Sequence, residues 1–72
     1  MTDPGALPES DPRRHTMKTR TTLTDLADHL REDVSKVDDV RAKALFETTA
    51  EVLLGLEKAF ADYEEGTEEA WR

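Results

Sequence analysis

Leu45-Phe46-Glu47-Thr48-Thr49-Ala50-Glu51-Val52-Leu53-Leu54-Gly55-Leu56-Glu57-Lys58-Ala59-Phe60-Ala61-Asp62-Tyr63 is the stretch that decides the fold. Phe46, Thr49, Leu53, Leu56, Phe60 and Tyr63 recur at alternating steps of three and four, an a/d register that only a helix brings onto one side. Leu45, Val52 and Ala59 fill the neighbouring g positions. With Ala42, Ala44, Thr48 and Gly55 they widen the apolar face to roughly half the circumference. Glu47, Glu51, Leu54, Lys58, Ala61 and Glu65 are expected on the opposite side. The pattern predicts a helix over 38–65, closed by Gly66 in the left-handed conformation that a helix C′ position favours.

Working back toward the N-terminus, Leu23, Leu26, Ala27, Leu30 and Val34 follow the i, i+3, i+4, i+7, i+11 template and predict a second, shorter helix over 23–34. Thr22 or Thr24 is its expected N-cap. The break falls at Val34-Ser35-Lys36-Val37-Asp38, where Ser35, Asp38 or Asp39 can cap the next helix. A loop this short joins helices that lie antiparallel. The expected fold is therefore an all-α antiparallel hairpin, a short helix followed by a long one. Residues 1–21, with Pro4, Pro8 and Pro12 and sparse apolar residues, read as a flexible N-terminal tail. Residues 22–66 form the hairpin, and 67–72 an acidic C-terminal tail.

The unequal lengths have a consequence. Helices of about 12 and 28 residues measure roughly 18 and 42 Å, so the first covers the second only from the turn to about residue 50. Val52, Leu53, Leu56, Phe60 and Tyr63 are then left bare. Leaving even four of these five in water forgoes roughly 6–12 kcal/mol, comparable with the stability of a whole small domain. The expected remedy is a homodimer in which two hairpins build a four-helix bundle. Its interface residues are Val52, Leu53, Gly55, Leu56, Ala59, Phe60 and Tyr63. Gly55 costs about 1 kcal/mol against alanine in mid-helix, a cost consistent with close approach of another backbone. A different protein on the same face is the heteromeric version. Trp71, at the end of the acidic tail, is the residue suited to anchor such a partner.

Composition narrows the function. The chain has 72 residues, 17 acids against 10 Lys/Arg, a net charge of −7, and no cysteine, which excludes disulfides and thiolate metal sites. Three scattered glycines, Gly5, Gly55 and Gly66, build no phosphate-binding loop. No apolar run reaches the length of a membrane span. Met1-Thr2-Asp3-Pro4-Gly5 lacks the basic patch and apolar stretch of a secretory signal, so the expected compartment is the cytoplasm. Arg13, Arg14, His15, Lys18 and Arg20 form a basic stretch without interleaved aromatics. Residues 22–72 carry six Lys/Arg against fourteen acids, which argues against nucleic acid as a partner and favours docking of the basic stretch on the acidic body.

Asp25, His29 and Asp33 stand at i, i+4, i+8, a spacing that can share a divalent metal. They lie on the polar side of their helix, and a solvated face explains them as well. The carboxylates are on exposed faces where nothing raises a pKa for acid–base work, and neither histidine has a nucleophile beside it. The expectation is a non-enzymatic protein without a cofactor. The last 35 or so residues, with Leu45–Leu56, Tyr63-Glu64 and Ala70-Trp71-Arg72, resemble small uncharacterised helical proteins of prokaryotes, haloarchaea among them; the resemblance implies no function.

Overall fold

Asp11 and Pro12 set the start of the first helix. Asp11 has extended backbone (φ −79°, ψ 120°), and its carboxylate accepts from the Arg13 N–H at 2.9 Å. Pro12 takes the first helical position, where its missing N–H leaves no intrahelical bond unmade. The computed structural model describes residues 7–66. In it α1 spans Pro12–Val34 and α2 spans Val40–Glu65.

The N-terminal boundary corrects the expectation that 1–21 is a tail and that Thr22 or Thr24 caps the helix. The stretch before Thr22 shows no apolar period because its contacts with α2 are polar. Its threonines, weak helix formers, turn their hydroxyls inward: Thr19, Thr21 and Thr22 donate to the carbonyls of His15, Met17 and Lys18 at 3.1–3.3 Å, the local bond a helical threonine can make. The expected short-then-long pairing is also corrected. With 23 and 26 residues the helices measure about 35 and 39 Å, nearly equal.

The turn occupies Ser35–Asp39. The Ser35 hydroxyl donates to the Glu32 carbonyl at 2.8 Å, and Asp39, extended at ψ 118°, accepts from the Arg41 N–H at 3.0 Å to cap α2. Gly66 ends α2 at φ +64°, its N–H donating to the Asp62 and Tyr63 carbonyls. That left-handed geometry carries little penalty without a Cβ.

Cross-helix pairs fix the antiparallel register. Thr16 meets Glu64, Arg20 meets Glu57 and Glu64, and Arg31 meets Glu51. Between them Ala27 and Ala50 are completely buried, and among the described residues no larger side chain is. Around them Leu23, Leu30 and Val34 of α1 and Phe46, Leu53, Leu54 and Phe60 of α2 are half-buried, so the seam is apolar at its centre and charged along its edges, with no large side chain fully enclosed.

Candidate functional site

The face of α2 turned to α1 is centred on Ala50. At about 100° per residue, Lys43, Leu54, Glu57 and Ala61 fall beside it. Leu54 and Ala61, expected to face away from the apolar side into solvent, are half-buried against α1. Leu45, Val52, Leu56 and Tyr63 fall instead within about 40° of one another, roughly 140° from Ala50. They remain 62, 56, 47 and 36% exposed. The length argument for bare residues is therefore overturned, since α1 runs alongside α2 as far as Glu64. These side chains are exposed for another reason: α1 sits on one edge of an apolar arc wider than a single helix can cover.

Of the residues expected at an oligomer interface, Val52, Gly55, Leu56 and Tyr63 are exposed, while Leu53, Ala59 and Phe60 are half-buried. A Cβ added at Gly55 would have nothing within 4 Å, so no close approach within this chain accounts for that glycine. The periodicity set Leu26 with Leu23, Ala27, Leu30 and Val34 on one side of the first helix, and the expected interface did not include Leu45. Leu26 is 45% exposed, about 100° from the buried Ala27 and on the same side of the hairpin as the α2 strip. The signal for Leu45 was present, one heptad before Val52.

That common side carries an open apolar groove of about 420 Å³, lined by Pro12 and Thr16 from α1 and by Leu56, Ala59, Phe60 and Tyr63 from α2. Its α1 wall exists only because the helix begins at Pro12. Beside it lies the main electrostatic feature. Arg20 donates to Glu57 Oε2 at 2.8 Å and to Glu64 Oε1 at 2.6 Å. The Thr16 hydroxyl donates to Glu64 Oε2 at 2.7 Å. Accepting these bonds, the Glu57 carboxylate first and that of Glu64 second raise the pKa of the Arg20 guanidinium above its already high ordinary value. This network was missed residue by residue, although the attraction of the basic stretch for the acidic body was foreseen.

Arg13, Arg14 and His15 of the basic stretch are engaged locally. Arg13 pairs with the Asp11 carboxylate at 2.8 Å. Arg14 reaches the Leu7 carbonyl at 3.5 Å, and His15 Nε2 donates to the Glu9 carbonyl at 2.7 Å. The Arg13 side chain, then its backbone N–H, lower the Asp11 pKa below the ordinary 3.8.

Of the metal candidates, the structure brings His29 and Asp33 together at 3.2 Å. Asp25 does not join them: among the described residues no group of three or more His, Asp or Glu side chains can hold a metal ion. Nor is any helix there long and apolar enough to cross a membrane. Trp71, the expected partner anchor, lies outside the described residues. Comparison with protein-family models, with curated proteins and with solved structures returns no match.

Proposed function

We propose that this chain is a non-enzymatic interaction or accessory module of the cytoplasm that self-associates through the exposed apolar side of its hairpin, as a homodimer with four-helix-bundle architecture. The observation that carries the reading is the contrast between a fully buried core of two alanines and a solvent-facing strip of Leu45, Val52, Leu56 and Tyr63, joined by Leu26. A hairpin that encloses no large side chain has little hydrophobic stabilisation of its own. Small helical proteins recover it by pairing.

Native mass spectrometry and light scattering across a dilution series test this directly. The expected result is a dimer at micromolar concentration, with helicity lost as the chain is diluted. A cooperative, fully helical monomer over the same range defeats the proposal. A chain that is partly unfolded alone and gains helix on adding extract would assign the face to a different protein.

A further inference from the structure

From the positions of the exposed apolar side chains we infer that the second copy lies with its α2 antiparallel across this α2, on a two-fold axis perpendicular to the helices at the level of residue 54. The inference rests on the self-association proposed above and specifies its geometry. Leu45 and Tyr63 lie nine residues either side of position 54, and Val52 and Leu56 two. Reversing the helix about that point sets Leu45 against Tyr63 of the second copy and Val52 against its Leu56.

The first helix obeys the same centre. The pairs Thr16–Glu64, Arg20–Glu57 and Arg31–Glu51 place Leu26 level with about residue 54. The perpendicular axis therefore brings Leu26 onto Leu26 of the second copy. Of the six large apolar side chains exposed in the described part, only Val40, at the turn, has no counterpart.

The other way to stack two such faces fits less well. A two-fold axis running along the helices lays α2 over the second copy's α1. Leu26 then still meets Val52 and Leu56, but Leu45 falls level with Ser35 and Lys36, and Tyr63 with Met17 and Lys18, where that α1 offers little apolar surface.

Because the chain has no cysteine, single replacements report the arrangement cleanly. Leu26→Cys, Leu45→Cys and Tyr63→Cys are each checked for helicity by circular dichroism and treated with a short bismaleimide. The expected result is that Leu26→Cys links to itself, that Leu45→Cys and Tyr63→Cys alone do not, and that a mixture of the last two gives the crossed product. In the antiparallel pair the two Leu45 positions are about 27 Å apart along the axis, beyond the reagent. Self-linking at 45 and at 63, or a dimer whose mixture fails to cross-link, overturns this geometry and leaves self-association standing. A monomer by native mass for the unmodified chain overturns both. If Tyr63→Cys loses helix, Ala59→Cys mixed with Thr49→Cys asks the same question one turn nearer the axis.

Discussion

The seam between α1 and α2 and the strip facing away from it use opposite chemistry on one helix. The seam has two fully buried alanines, Ala27 and Ala50, half-buried Leu23, Leu30, Phe46, Leu53, Leu54 and Phe60, and charge at its edges: Arg20 clamped by Glu57 and Glu64, Arg31 on Glu51. The strip has the bulk: Leu45, Val52, Leu56 and Tyr63. Ordinary amphipathic helices put their largest side chains where a neighbour covers them. Here the neighbour within the chain half-covers Phe46, Leu53, Leu54 and Phe60 and leaves a second apolar strip bare, and ion pairs mark the register between the helices. One half of the apolar arc of α2 is thus spent within the hairpin while the other half faces outward.

Breaking the strip should have the largest effect. Leu56→Asp is expected to abolish the dimer and unfold much of the chain, a loss of about 3–6 kcal/mol per dimer from two lost apolar contacts. Native mass together with helicity at 222 nm checks this. Glu51→Ala, on a side chain 72% exposed, should leave both readings near those of the parent.

Enlarging the seam ranks next. Ala27→Leu inserts three carbons at a fully buried position and should cost about 1–3 kcal/mol through overpacking, read as a lower urea midpoint. If stability is unchanged, the helices are not in contact at Ala27.

Removing the clamp is milder. Arg20→Ala should cost about 1–2 kcal/mol, since the pairs are partly solvated. That difference should shrink in molar salt, where the Debye length falls to about 3 Å. A salt-independent loss would mean that the aliphatic stem of Arg20, more than its charge, holds the groove.

The smallest effect sharpens the start of α1. The Asp11 pKa is lower folded than unfolded, so its contribution is fully present above the unfolded value and fades as pH falls through the folded one. Asp11→Ala should therefore fray the first turn of α1 at neutral pH and differ little from the parent in strong acid. Amide exchange at residues 13–16, followed against pH, checks the sign.

Much of the hairpin was legible because its signals are local. The three–four spacing from Phe46 to Tyr63, the stop at Gly66 and the polar break at Ser35-Lys36 act within a few residues of where they are written. The first half of α1 was not legible for an equally physical reason. A helix recognised by apolar period is invisible where its contacts are Thr16 and Arg20 on distant glutamates, and Pro12 reads as a breaker until Asp11 before it is seen to cap. The candidate face was half legible. Val52, Leu56 and Tyr63 follow from the heptads, whereas the exposure of Leu26 and the burial of Leu54 depend on how far α1 is rotated about α2.

By itself, then, the sequence determined two helices, their turn, and an apolar arc too wide for one neighbour, because periodicity and capping are properties of adjacent residues. Only the tertiary structure decided which edge of that arc α1 covers. That choice was made by alanines small enough for close approach and by Arg20 finding Glu57 and Glu64, pairings between residues 37 and 44 positions apart. No local pattern encodes a contact of that separation. Leu26, Leu45, Val52, Leu56 and Tyr63 were left facing outward as a result.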